Sequence, residues 1–271
     1  MCKWKYYNHA LIPSGEPHKI PDLKELKEAY KCSSRKALFA MWSTEFDCGY
    51  ETEWWYCIKD SFFDITELKA KRRYEINKGK KNFYVKEINP LEYAEQLFTI
   101  YIEASSTYGG SGNFSFKQFN KKVREYKEKL VYGAFDINDN CLCGYAILAC
   151  YDEYMDFQTL KVMPKYENKG VNAAIVASIC ELLNKKLETS NYYISDGSRA
   201  IFHETNFQEY LEKYFGFRKA YCKLNIKYFG LMKYIVITLF PLRKIFSRIN
   251  IRIFKQINGV LHIEEIRKTF L

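Results

Sequence analysis

The spacing of apolar residues changes period repeatedly along the chain, and each change predicts an element. The clearest stretch runs from Thr159 to Leu187. There Leu160 and Val162 share one face of an extended segment, Met163-Pro164 ends it, and Gly170 opens an alanine-rich helical pattern. Upstream, the pattern predicts strands over Leu38–Trp42 and Trp54–Ile58, linked by Ser43–Glu53, then a helix over Ile65–Lys78 and a strand over Phe83–Ile88. Pro90 opens a helix through Ser105, a glycine-rich loop covers Tyr108–Asn113, and a further helix covers Ser115–Leu130. Val131–Phe135 and Cys141–Cys150 read as a hairpin turning at Asn138-Asp139-Asn140, followed by a strand over Tyr154–Val162. After the Gly170 helix come a strand at Tyr192–Ser195, a helix at Phe207–Tyr214 and a closing strand at Phe217–Tyr228.

The tail has a different pattern. Tyr234–Leu242 is apolar but far shorter than the ~20 residues a spanning helix needs. After Pro241, Leu242, Ile245, Phe246, Ile249, Ile253 and Ile257 recur at helical spacing with basic residues between them, and Gly259 reads as a stop. This is a basic amphipathic helix, with two uses open to it: lying on an anionic membrane surface, or covering an apolar part of the main domain. Charge sharpens the contrast. Lys227, Lys233, Arg243, Lys244, Arg248, Arg252 and Lys255 fall between Lys227 and Asn258 without an acid, and so supply most of the net +10. The basic run Lys69, Lys71, Arg72, Arg73, Lys78, Lys80 and Lys81 reads as a solvated helix face, with phosphate contact as its functional alternative.

At 271 residues, about half of them apolar, the chain can bury one large core with appendages, and its tyrosines and phenylalanines point to a mixed α/β class. Three segments are expected: 1–80 as an N-terminal extension with two strands and a basic helix, 81–228 as the main domain, and 229–271 as basic C-terminal helices. Met1–Tyr7 lacks the apolar run of a signal peptide, so the expected location is cytoplasmic, with membrane association through the tail. Nine scattered cysteines suit reduced thiols better than a disulfide frame. Cys141-x-Cys143 lacks a second pair or a nearby histidine, and no metal is expected.

A helix start such as Gly170 suits an anion, because its first amides have no partner inside the helix and the dipole points the same way. An ordinary strand-to-helix turn is the alternative. The order β-α-α-β-β-β-α-β-α-β over Phe83–Tyr228 resembles the GNAT superfamily of acyl-CoA N-acyltransferases. Val162, Pro164, Tyr166 and Gly170 match its Val-x-Pro-x-Tyr-(Arg/Gln)-x-x-Gly-x-(Gly/Ala) segment, and Tyr210–Phe217 matches its aromatic helix ending in Gly-Phe. Glu167 and Asn172 depart from that pattern. The Trp54-Trp55-Tyr56 strand and the Lys71-Arg72-Arg73 helix resemble, more loosely, the FemAB-like branch that modifies cell-wall or surface-polymer precursors.

The resemblance implies a mixed, mostly antiparallel GNAT-like sheet flanked by helices, with an N-terminal extension and C-terminal helices. It also implies an acetyl-CoA (or other acyl-CoA) co-substrate, with the amides of Lys169, Gly170, Val171, Asn172 and Ala173 around the diphosphate and the strand end at Leu160 and Val162 on the pantetheine arm. The acceptor would be a small molecule or a glycan precursor carrying an amine, and nucleic acid is not an expected partner. Glu153 and Asp156 beside the cofactor strand, Asp196 and His203 beyond the next strand, and Tyr210 and Tyr214 near the Gly-Phe are the candidate acids and bases. Two rivals stand: an aminoacyl-tRNA-dependent transferase of the FemAB kind, which would enlist Arg72 and Arg73 for RNA phosphates, and a non-catalytic binding protein.

Overall fold

The computed structural model describes residues 4–33, 36–107, 114–189, 191–201, 206–246 and 252–270. In chain order the strands and helices are β1 (Trp4–Tyr7), β2 (Ala10–Pro13), α1 (Glu25–Cys32), β3 (Phe39–Thr44), β4 (Trp54–Lys59), α2 (Ala70–Asn82) and β5 (Phe83–Glu87). Next come α3 (Ala94–Thr107), α4 (Phe116–Arg124), β6 (Leu130–Asp136), β7 (Leu142–Cys150), β8 (Tyr154–Val162), α5 (Val171–Thr189), β9 (Tyr193–Ser198) and α6 (Phe207–Phe215). The last are β10 (Arg218–Tyr228), α7 (Met232–Leu239), α8 (Arg243–Phe246) and α9 (Arg252–Lys268). The fold is α/β, with a mixed, mostly antiparallel sheet flanked by helices, as the GNAT resemblance implied.

The chain packs as two compact units that are not consecutive segments. One contains Met1–Cys57, Ser198–Asn206 and Lys219–Leu271, and the other Ile58–Gly197 and Phe207–Arg218. Within the second unit the strands run in the order β9-β8-β7-β6-β5. All neighbours are antiparallel except β8 and β9, which are parallel over Tyr154–Asp156 and Tyr193–Ser195. Strand β7 is buried from Leu142 to Ala149 because both sheet faces are covered. Gly144 faces Ile175 of α5, whereas the Tyr145 hydroxyl feels the charges of Tyr126 and Tyr101 on the other face. Alternate residues of one strand thus enter two apolar layers, the period-2 consequence of the pleat.

The first unit holds β1-β2-β3-β10-β4. Successive residues again divide between faces: Ala10 and Phe39 join Trp54, Leu224, Ile263 and Ile266 in one cluster, while Leu11 and Ala40 join Trp4, Leu26 and Ala29 of α1 in another. Helix α9 therefore closes one face and α1 the other. A buried Glu264 fixes α9, accepting from the Tyr228 hydroxyl at 2.7 Å and from Arg267 at 2.8 and 2.7 Å.

Several sequence expectations need correction. The 65–78 helix is a short 3-10 turn capped by Asp64, followed by α2 from Ala70 to Asn82. The helix expected from Ser115 to Leu130 ends at Arg124 in a 3-10 turn, and Leu130 already belongs to β6. Ser115 caps it in a reciprocal box with Gln118. Gly259 does not end the last helix, since α9 runs through it. Of the helical stripe expected from Leu242 to Ile257, α8 holds Arg243–Phe246 and α9 the part from Arg252; Ile249 lies outside the described residues. Strands β1 and β2 and helix α1 have no counterpart in the sequence reading.

Candidate functional site

Strand β8 keeps its partner β9 only as far as Asp156, then continues to Val162. A register shift against β7 makes Gln158 the extra residue between Phe157 and Thr159, a bulge that bends the strand where the two parallel neighbours part. Just beyond the last β9 pair sits Asp196, which the structure places inside β9 rather than in the loop after it. Gly197 follows with a φ of 85°, and its N–H donates to Ser195 Oγ at 3.0 Å.

Helix α6 covers this corner. Gln208 in its first turn is buried and donates Nε2–H to the Asp196 carbonyl at 3.4 Å. Phe207 packs on Phe157 with ring centres 6.0 Å apart, Tyr210 stacks on Phe207 at 6.1 Å, and Tyr214 lies 5.0 Å from Tyr210. Burial pushes the Asp196 carboxyl up to a pKa of about 7; the Gln208 amide opposes that shift and the Asp156 charge adds to it. Asp156 accepts from Gln158 Nε2 at 2.9 Å, and Gln158 Oε1 accepts from Lys129 Nζ at 2.7 Å, so a cation stands two links away. The Tyr210 hydroxyl is held above the usual tyrosine range by burial, with smaller contributions from Tyr214 and Glu75. A carboxyl with a pKa raised to about 7, near a second carboxylate, can take up and return a proton.

Of the residues singled out in the sequence, Asp156 and Asp196 come together at this corner, while Tyr210 and Tyr214 lie in the ring cluster that Phe207 of α6 joins to Phe157. Glu153 lies in the exposed turn before β8. His203 lies outside the described residues. Gln158, Lys129 and Gln208 escaped the sequence reading; a polar residue buried in the first turn of an amphipathic helix was the available signal for Gln208. Lys59 escaped as well. It is buried at the end of β4, donates to Ser61 Oγ at 3.2 Å, and burial lowers its pKa.

The turn after β8 has its own geometry. Gly170 has a φ of 88°, a left-handed conformation that glycine adopts without strain. Its N–H is already given to the Glu167 carbonyl at 2.9 Å, and its carbonyl accepts from Ala174 at 3.0 Å. Helix α2 crosses here at backbone contact: a Cβ on Gly170 would stand 2.9 Å from Gly79 N and 3.2 Å from the Glu75 carbonyl, and one on Gly79 would stand 2.4 Å from the Gly170 carbonyl. Asn82 Nδ2 donates to the Lys169 carbonyl at 3.0 Å, and the Lys169 ammonium pairs with Asp136 at 3.2 Å. Val171 and Ala173 are buried, Asn172 is half-buried, and Leu160 stays partly open while Val162 is buried. The glycine therefore has a packing reason, the close passage of α2.

No family model and no curated protein sequence matches the chain. Solved structures do. The C-terminal domain (DUF2156) of an Agrobacterium fabrum protein named as a lysylphosphatidylglycerol synthetase is similar over 87% of this chain and 84% of its own, with a TM-score of 0.52 at 9% identity. L-PGS from Bacillus licheniformis is similar over 87% of this chain and 83% of its own, with a TM-score of 0.50 at 12% identity. PaiA N-acetyltransferase from Thermoplasma acidophilum, solved in complex with coenzyme A, is similar over 38% of this chain and 73% of its own, with a TM-score of 0.31 at 18% identity. At these identities the likeness is one of fold. The two structures with TM-scores of 0.50 and 0.52 share that fold over most of this chain.

Proposed function

We propose that the chain is an acyltransferase in which Asp196 removes the proton from an acceptor amine or hydroxyl as it attacks an activated acyl group. The acceptor atom bonds to the acyl carbon, the bond to the donor's leaving oxygen or sulfur breaks, and Asp196 returns the proton to that leaving group. The observation that carries this reading is the Asp196 carboxyl, tuned by burial to about 7 beside Asp156, where β8 and β9 part. Gln208 orients the Asp196 backbone, and the Lys129–Gln158 chain holds Asp156.

Two donors are compatible with this chemistry. An aminoacyl ester carried on tRNA is supported by the likeness, over 87% of this chain, to a protein whose name describes lysyl attachment to phosphatidylglycerol. Gly79 and the Glu75 carbonyl fill the side of Gly170 where a side chain would stand. A coenzyme A thioester is supported by the unpaired length of β8 beyond Asp156 and by the first-turn amides of α5 at Val171, Asn172 and Ala173. We take the aminoacyl ester as the donor, on the likeness over most of both chains. The acceptor is then an amine or hydroxyl of a lipid headgroup, amino-sugar or surface-polymer precursor.

Thermal shift tests the choice, because a ligand that binds only the folded state raises its melting temperature. Micromolar charged tRNA is expected to raise Tm, and acetyl-CoA is expected to leave it unchanged. A shift with acetyl-CoA alone would reverse the choice of donor, and no shift with either would count against a transferase.

A further inference from the structure

The tail leaves a large apolar surface uncovered. Leu231, Tyr234, Ile235 and Ile237 on and just before α7, with Leu242 and Ile245 at α8, are all exposed, Leu231 at 75% and Ile245 at 60%. Only Val236 of α7 is buried, so the helix is pinned at one point and exposes apolar side chains around most of its girth. Single exposed aliphatics need no explanation, but six within fifteen residues of chain form a patch of the kind that meets a partner.

The charges around the patch say what kind of partner. Lys227, Lys233 and Lys244 are exposed, and no Asp or Glu occurs in the sequence between Glu212 and Glu264. The two acids that follow are both engaged: Glu264 with Arg267 and Tyr228, and Glu265 with Arg243 at 2.8 Å. The surface is thus apolar and cationic, without a carboxylate to offer. Two copies meeting face to face would oppose lysine to lysine, which argues against self-association through this patch. Apolar side chains that penetrate the headgroup region, an interfacial tyrosine and flanking lysines together fit an anionic lipid surface.

We propose that α7 and α8 dock the chain on an anionic membrane, with Ile237, Leu242 and Ile245 entering the acyl boundary and Lys233 and Lys244 contacting lipid phosphates. This goes beyond the proposed acyl transfer and does not rest on it. The sequence left a longer stripe ending at Ile257 open to a membrane surface or to covering the main domain; the exposed apolar residues lie in the earlier part of the tail, whereas Leu261, Ile263 and Ile266 of α9 are buried.

Co-sedimentation of the full chain with two kinds of vesicle tests the proposal: phosphatidylcholine alone, and equal parts phosphatidylcholine and phosphatidylglycerol. The wild-type chain is expected to pellet with the mixed vesicles, more weakly at high salt, and to stay in solution with phosphatidylcholine. Ile237→Ser with Ile245→Ser is expected to lower binding at least ~10-fold, and Lys233→Glu about fivefold or more, at about 1 kcal/mol per lysine near the surface. Circular dichroism melts of these variants should match wild type, since the residues are exposed. Absence of binding to mixed vesicles, or binding unchanged by both sets of substitutions, would overturn the proposal. So would a concentration-dependent dimer in sedimentation that the isoleucine variant abolishes, which would assign the face to a second copy.

Discussion

In the second unit, the polar groups left near the surface converge. Asp156, Asp196 and Gln208 meet where β8 and β9 part, and burial raises the pKa of one carboxyl to about 7. In the first unit the conspicuous exposed groups are aliphatic, along α7 and α8, while the buried acid Glu264 is fully paired and stays ionised. Both units are sheets covered on two faces, so the difference does not lie in the plan. It lies in whether a carboxylate is given a cation. Burial acts on Glu264 and Asp196 alike, but Arg267 and Tyr228 outweigh it at Glu264, whereas among the described residues the Gln208 amide does not outweigh it at Asp196 and the Asp156 charge adds to it. A carboxylate paired with a cation holds structure together, and one whose pKa is raised towards neutrality is available for proton transfer.

The largest stability effect should come from breaking the paired side. Glu264→Ala is expected to cost about 3 kcal/mol, because it leaves Arg267 without its partner against the sheet. The pH dependence has a definite sign. Glu264 has a lowered folded-state pKa, so its contribution is present above the unfolded value and is lost as pH falls through the folded one. Urea melts at neutral and acid pH would therefore differ more for wild type than for Glu264→Ala.

Gly79→Ala comes next, at about 1–3 kcal/mol, since the added methyl would sit 2.4 Å from the Gly170 carbonyl and force α2 off α5. The same denaturation measurement checks it. If stability is unchanged, α2 can move aside.

Asp196→Asn is expected to raise stability, the opposite of what Glu264→Ala does. Its raised folded-state pKa means that the folded chain holds the proton between about pH 4 and 7, so the ionised carboxylate costs stability above pH 7 and little below pH 4. A calorimetric scan at pH 8 should show Tm higher by ~2–6 °C, with the gain vanishing at acid pH. The smallest effect belongs to the exposed helix: Ile237→Ser should alter folding stability by no more than about 0.5 kcal/mol while changing vesicle binding.

Much of the second unit was legible because its elements are local and periodic. The β6–β7 hairpin, β8, the Gly170 turn and α5 all stand where alternation, a proline and a glycine put them. The nearness of Asp156 and Asp196 followed from chain order, which fixes which strand ends lie near one another. The first unit was not, because β3 pairs with β10 across most of the chain and the tail returns to cover the N-terminal strands. No local period reports such a contact. Gly259 misled for a related reason: a mid-helix glycine costs about 1 kcal/mol, and the buried faces of Leu261, Ile263 and Ile266 outweigh it. At Gly170 the turn was readable, but its left-handed backbone and the helix that needs the missing side chain, α2 with its own Gly79, were not.

The most direct test follows a labelled acyl group. Wild-type chain and Asp196→Asn would be incubated with a mixture of labelled aminoacyl-tRNAs and a total lipid and amine fraction, with labelled product counted across pH. The account predicts product with wild type, a rate rising to a plateau through about pH 7, and a loss of about 10²–10⁴-fold in the variant. Equal rates for the two proteins, or a rate indifferent to pH in that range, would contradict it.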